Sequence, residues 1–241
     1  MKSKIILLTF VLNISMVVSS MAQEMPLVYD VENTGADYTL PPLPSFDQLP
    51  IIKSFPDPFK WADTSKGRLT SRADWRCRRA EIGAEIQRYE LGTKPPRPDI
   101  LEASFSDDSI LTVIVIVKED TLILTSKITL PKGKGPFPTL IGIGFSPTGS
   151  LPADIFKSRG IATIRYNESQ ITKAWSDVRG DGPFFKLYPD KSRSKFIAWA
   201  WGACLIIDGL EKCPEAKIDL KHLAITGCSF AGKIALFFRS F

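Results

Sequence analysis

The sequence holds a single histidine, His222, and only four cysteines in 241 residues. Charge of one sign is also in short supply. Lys and Arg number 31 against 26 Asp and Glu, a formal +5, and Lys2 and Lys4 lie in a segment expected to be removed. Without those two the balance is +3, spread over both signs, which excludes the basic stripe of a nucleic-acid binder. No internal repeat or low-complexity tract appears, which excludes solenoids and fibrous arrays. Long apolar runs are scarce. Ile5 to Val18 is mostly apolar, but Asn13 interrupts it and it is short of the roughly 20 residues a bilayer span needs.

That same run reads as a leader. Lys2 and Lys4 give a positive start, and Ser20-Met21-Ala22 places small residues where a signal peptidase inspects them. No cysteine sits near the cleavage point to take a lipid. Residues 1–22 are therefore expected to be a signal peptide, with the mature chain starting at Gln23. The protein is expected to be secreted or periplasmic, without stable membrane association after signal removal. Disulfides are then open to it, but their pairing is not deducible. Cys204 and Cys213 lie nine positions apart on one expected helix, roughly 13 Å, too far to bond unless the helix ends between them. Cys77 and Cys228 fall in other elements, and small buried thiols remain the simplest reading.

What is present is ordinary for one globular domain: 44% hydrophobic, 10% aromatic and 24% charged residues. Residues 23–60 form an expected extended arm. Six prolines between Pro41 and Pro58 fix their own φ and push each preceding residue out of the helical region. Phe46, Ile51, Ile52, Phe55 and Phe59 are its expected apolar anchors. A helix follows, capped by Asp74, with Trp75, Ile82, Ile86 and Tyr89 approximating one face and Gly92 closing it. The Arg76, Arg78 and Arg79 cluster is expected to pair with Glu81 and Glu85 along that helix rather than to form an anion site.

Residues 61–241 carry the domain proper. Leu101–Ser106, Ile110–Lys118 and Leu122–Leu130 are β-branched, alternating or continuous apolar runs joined by short polar turns, which predicts antiparallel hairpins. The pattern then changes to strand at Thr139–Gly144, helix at Leu151–Ser158, strand at Ile161–Tyr166, a long helix at Ser194–Lys212, and strand at His222–Thr226. Strands alternating with helices predict parallel β-α-β units. Hairpins leading into a parallel sheet with flanking helices is the order of an α/β-hydrolase, a three-layer sandwich, here expected to be incomplete.

The chemistry concentrates in Ala224-Ile225-Thr226-Gly227-Cys228-Ser229-Phe230-Ala231-Gly232-Lys233, where an apolar strand runs into a serine and an apolar helix begins at once. This is how a nucleophile elbow is written. So sharp a turn demands small residues on either side of the serine, and Gly227, Ala231 and Gly232 meet that demand. The helix N-terminus aims backbone N–H groups at the reacting oxygen. Lys233, four residues after Ser229, lies one helical turn on and over the same face.

Gly227-Cys228-Ser229-Phe230-Ala231-Gly232-Lys233 resembles the G-C-S-R-N-G-K signature of the glucuronoyl esterases, carbohydrate esterase family fifteen. Other matches stand upstream in the same order: Ala73-Asp74-Trp75-Arg76-Cys77-Arg78-Arg79-Ala80-Glu81-Ile82, then Tyr89-Glu90-Leu91-Gly92 with Pro95. Phe184-Phe185-Lys186-Leu187-Tyr188, Ala198-Trp199-Ala200-Trp201-Gly202 and Ile207-Asp208-Gly209-Leu210-Glu211 continue it. The resemblance runs from about Leu49 onward. It implies a serine carboxylic-ester hydrolase that cleaves glucuronic acid esters linking xylan to lignin, with glucuronoxylan or a related polysaccharide ester as partner and no metal or cofactor. It also implies Ser229 as nucleophile, the Phe230 backbone N–H as an oxyanion donor and Lys233 as a contact for sugar hydroxyls.

Two departures from the signature stand out. Phe230 replaces the arginine that assists the oxyanion, and Ala231 replaces the asparagine beside it. The resemblance also places the triad's acid and histidine, and a cysteine partner for Cys228, beyond the elbow, whereas this sequence runs twelve residues past Ser229. His222 precedes Ser229 by seven positions on the incoming strand, and cannot serve as its base. The expectation is thus the N-terminal portion of such a domain, ending before the catalytic histidine. Two alternatives remain: an acetyl-type carbohydrate esterase using the same elbow, and a non-catalytic polysaccharide-binding relic.

Overall fold

The computed structural model describes residues 37–173, 181–189 and 194–238, without the side chain of Phe238. The expected signal peptide and the first part of the arm lie outside the described residues. Among the described residues six strands form one mixed sheet in the order β1-β2-β3-β5-β4-β6. The alternating runs fold as expected into β1 (Ile100–Phe105), β2 (Ile110–Val117) and β3 (Asp120–Thr129), a meander of antiparallel pairs. Beyond it, β4 (Phe137–Ile143), β5 (Ala162–Tyr166) and β6 (Ile218–Thr226) pair in parallel, with β5 beside β3 as the antiparallel junction. Hairpins therefore lead into a parallel sheet with flanking helices, the α/β-hydrolase arrangement. The strand expected at His222 begins four residues earlier, at Ile218. Asp219 and Lys221 interrupt the apolar pattern there, because this stretch is partly or fully exposed.

Five α-helices are described: α1 (Arg72–Ile86), α2 (Ala153–Ser158), α3 (Pro183–Leu187), α4 (Lys195–Lys212) and α5 (Phe230–Phe238). The long helix α4 starts where Ser194 accepts a bond from the Ile197 amide, which satisfies one of the orphan donors at its N-terminus. It packs on β1 and β2, whose Leu111, Val113 and Val115 face the core. Its other faces are covered too. The rings of Phe184 and Tyr188 lie 5.3 and 5.5 Å from that of Trp201, and Tyr166 on β5 donates to the Trp199 carbonyl at 2.7 Å. A helix buried almost all round reads as apolar all round, which is how Ala198 to Ile206 reads. Cys213 caps the end of α4, and all four cysteines are free thiols. Burial pushes the Cys204 thiol up to about 11.

Helix α1 differs from its sequence reading in two ways. Its N-cap is Ser71, not Asp74. Asp74 occupies the third helical position and its carboxylate accepts from the Ser71 amide, so the two residues form a capping box. The most buried residues of α1 are Arg78 and Glu81 rather than the apolar stripe, and Ile86 is exposed. Arg78 bonds Glu81 at 2.9 Å and Glu85 at 3.4 Å, the pairing expected along the helix, whereas Arg76 reaches across to Asp37 on the arm.

The arm is held by polar contacts more than by apolar ones. The Tyr38 hydroxyl and the Ala62 amide both donate to Glu81, at 2.9 and 3.0 Å, and the Tyr89 hydroxyl donates to the Pro44 carbonyl at 2.8 Å. Of the expected anchors, Phe46 and Phe59 make ring contacts with Tyr89 and Trp75. Ile51, Ile52 and Phe55 do not act as anchors in this structure: they are 92%, 62% and 100% exposed. An extended proline-rich chain turns successive side chains outward instead of presenting one continuous face.

Candidate functional site

Strand β6 ends at Thr226, Gly227 and Cys228 turn the chain, and α5 begins at Phe230. Ser229 sits at the apex with φ +56°, a left-handed conformation that non-glycine residues rarely adopt. It is exposed. The turn closes through the Ala231 amide bonding the Cys228 carbonyl and the Lys233 amide bonding the Ser229 carbonyl, both at 3.1 Å. Glycine is required at 227, because a Cβ there would fall inside contact distance of the Ala231 backbone. As the first helical residue, Phe230 has an N–H with no acceptor inside the helix, and it sits beside the serine. The expected elbow is thus formed in its backbone.

A second segment abuts it. After β4 the chain Gly144–Gly149 folds back, and Pro147 passes so near Gly142 that a Cβ there would lie 2.3 Å from the Pro147 carbonyl. Gly149 stands against Thr226 and Gly227, with φ +62°. In α/β-hydrolases this position, the loop after the neighbouring strand, is where a second oxyanion N–H comes from. Sequence reasoning passed over it. The signal was the close spacing of Gly142, Gly144 and Gly149 after an apolar strand.

The side chains around Ser229 are aromatic and ionic. Phe230 is 56% exposed, and its ring leans on Phe196 with centroids 5.8 Å apart and planes tilted by 33°. Phe196 also meets Trp199 and Phe237 at 5.7 and 6.2 Å. Lys233 lies over the Phe196 ring, 4.7 Å from its centroid, and its ammonium bonds Glu90 Oε1 at 2.6 Å. Ser229, Phe230 and Lys233 therefore come together on one turn, with Glu90 and Phe196 added from elsewhere in the chain.

His222 is apart from this group. It stands on β6, and the strand from His222 to Thr226 alone covers about 13 Å. Its Nδ1 lies 2.7 Å from Asp219 Oδ2, with the ring largely exposed. The imidazole beside Asp219, with help from the Lys221 amide, holds that carboxyl below the usual carboxylate range. Among the described residues no three His, Cys, Asp or Glu side chains gather as a metal ion would need. No helix among them is long and apolar enough to cross a membrane.

The family model described as glucuronyl esterase of fungi matches residues 113–241. The 4-O-methyl-glucuronoyl methylesterase of Thermothelomyces thermophilus is 41% identical over 193 residues, which is 78% of this chain and 46% of that protein. The enzyme of the same name from Podospora anserina is 38% identical over 205 residues, 82% of this chain and 40% of that protein. Among solved structures, the glucuronoyl esterase catalytic domain from Hypocrea jecorina superposes with a TM-score of 0.67 at 37% identity, covering 81% of this chain and 52% of that one. A serine-to-alanine variant of the glucuronoyl esterase from Sporotrichum thermophile, in complex with methyl 4-O-methyl-β-D-glucopyranuronate, gives 0.64 at 38% identity, covering 76% of this chain and 48% of that one. The chain spans about half the length of the curated relatives it matches. The family match over more than half of the chain, together with the strand-serine-helix geometry it includes, shows that this chain belongs to the glucuronyl esterase family.

Proposed function

We propose that the chain supplies the nucleophile and part of the oxyanion site of a serine ester hydrolase that cleaves glucuronic acid esters between xylan and lignin alcohols. The observation that carries this reading is Ser229, exposed and held at φ +56° between β6 and α5. In it, Ser229 Oγ attacks the uronate carbonyl, the alcohol leaves, and water then hydrolyses the acyl-serine. The Phe230 amide and an amide of the Gly144–Gly149 segment receive the charge that develops on the carbonyl oxygen. Lys233 meets sugar hydroxyls. The histidine base and its acid come from the part of the relatives' length that this chain does not span, since His222 is turned to Asp219. Residues 1–22 act as an export signal, and N-terminal sequencing of secreted protein should begin at or near Gln23; intact Met1 in the cytoplasm would remove this element.

A second reading, an acetyl-type carbohydrate esterase, draws on Phe230, whose side chain brings no donor to the oxyanion. One set of assays tests both. Residues 23–241 are joined to the C-terminal half of the Thermothelomyces thermophilus relative and given methyl 4-O-methyl-glucuronate or acetylated xylan. Serine-dependent hydrolysis of the uronate ester supports the first reading, and preference for the acetyl ester supports the second. Binding of xylan without turnover of either would leave a non-catalytic relic.

A further inference from the structure

The ion pair between Lys233 and Glu90 joins positions 143 residues apart, and the chain goes to some length to place Glu90. Helix α1 does not simply stop; it widens into a π-helical turn, Gln87–Leu91, a departure that often marks functional sites. The turn is fixed from three sides. Gly92, at φ +83°, donates to the Gln87 carbonyl at 2.7 Å, the Ser194 amide donates to the Leu91 carbonyl at 2.8 Å, and Tyr89 is tied to Pro44. Leu91 is buried beside it. Both members of the pair are about half exposed, 46% for Lys233 and 47% for Glu90, so the contact adds little to stability. Its place is more telling: the lysine lies one helical turn from Ser229, over the ring of Phe196.

Hydrolysis changes the charge at this spot. The substrate ester is neutral. When the acyl–oxygen bond breaks, the alcohol leaves with a proton, water supplies the hydroxyl that stays on the carbonyl carbon, and the acid formed gives its own proton to solvent. A carboxylate remains where the ester was. A lone ammonium about 4 Å away would favour that anion roughly fivefold even in water, and so retain product.

We propose that Glu90 is a positioning residue that holds the Lys233 ammonium aside from Ser229 and quenches its charge, so that the site takes a neutral uronate ester and releases the anionic acid. The role rests on the uronate-ester reading given above. Lys233 keeps its remaining N–H donors for sugar hydroxyls, which bind through dipoles and not through net charge.

The test uses residues 23–241 and two probes, sodium glucuronate and its methyl ester, with affinities read from NMR shifts of the Phe230 and Gly232 amides. The wild type should bind the acid no tighter than the ester. Glu90→Gln, similar in shape and checked for an unchanged thermal midpoint, should bind the acid about fivefold tighter with the ester unaltered. That gain should vanish in molar salt and in Glu90→Gln combined with Lys233→Met, and Glu90→Asp should keep the wild-type ratio. An unchanged acid-to-ester ratio in Glu90→Gln, with both probes binding, would overturn the role and leave the esterase reading intact. No perturbation by either probe in any variant would overturn uronate recognition at Ser229, and the role of Glu90 with it.

Discussion

Gly227 approaches Ala231 so closely that a Cβ on the glycine would lie 2.4 Å from the Ala231 carbonyl carbon and oxygen. The strand can run into Ser229 and leave along α5 only because this side chain is missing. Gly227→Ala must push the first turn of α5 away from β6, at a cost of about 2–3 kcal/mol. Gly232→Ala is the comparison. Its Cβ would meet the Gly227 carbonyl oxygen at 3.2 Å, tight but outside collision, and alanine favours the helix. Urea unfolding followed by tryptophan fluorescence should show a large drop in midpoint for the first and a change within about 1 kcal/mol for the second.

Glu81 joins the arm to α1, and its ionisation should be felt in stability. Burial alone would raise its pKa, but the Ala62 amide, the Tyr38 hydroxyl and Arg78 together hold it below the usual glutamate value of 4.5. A carboxylate depressed in the folded state stabilises at pH above about 4.5, and that contribution is lost as pH falls through the folded pKa. Glu81→Gln should cost about 2–3 kcal/mol at neutral pH, because it breaks charged hydrogen bonds around a group only 2% exposed. The gap between variant and wild type should narrow as the pH is lowered towards 3 in chemical denaturation series. A gap that stays constant with pH would mean that Glu81 acts only through its shape.

In the proposed reaction Phe230 would offer the oxyanion its backbone amide and nothing more. Its ring is already occupied in leaning on Phe196. In the protein extended by a relative's C-terminal half, Phe230→Arg should raise kcat on a methyl glucuronate ester about tenfold or more, and alter KM less, because the added donor is felt mainly in the transition state. Steady-state kinetics on that ester and on an acetyl ester separate the outcomes. If kcat on the uronate ester does not move while acetyl esters are turned over well, the acetyl-esterase reading gains.

Much of the fold was legible because the sequence wrote it locally. The period-two runs of β1 to β3 and the unbroken apolar stretch of α4 from Phe196 to Ile207 each name their element without help from the rest of the chain. The elbow was legible for the same reason: its demands for small residues at 227, 231 and 232 fall within six positions. The upstream matches at Phe184, Trp199 and Trp201 turn out to be buried core residues, with Phe184 packed on Trp201, so they report the fold more than the chemistry.

What was missed depends on distant partners. Ser71 and Asp74 cap α1 reciprocally, so either looks like a cap when read alone. The buried face of α1 is ionic because the arm brings Tyr38, and the segment just after it Ala62, to Glu81, which no helical periodicity encodes. The exposure of Ile51 and Phe55 likewise reflects what does not cover them, and Glu90 reaches Lys233 only because the π-helical turn after α1 packs on α4 and is tied to the arm.

The claim that Ser229 is the nucleophile of a uronate ester hydrolase is tested most directly by trapping its acyl intermediate. The extended protein is mixed with methyl 4-O-methyl-glucuronate, quenched in acid during turnover, digested, and examined by mass spectrometry. The account predicts a uronyl adduct on the peptide that contains Ser229, absent from the Ser229→Ala variant, which should also lose hydrolysis by a factor on the order of a thousand or more. Hydrolysis that persists in Ser229→Ala, or an adduct on any other residue, would contradict it.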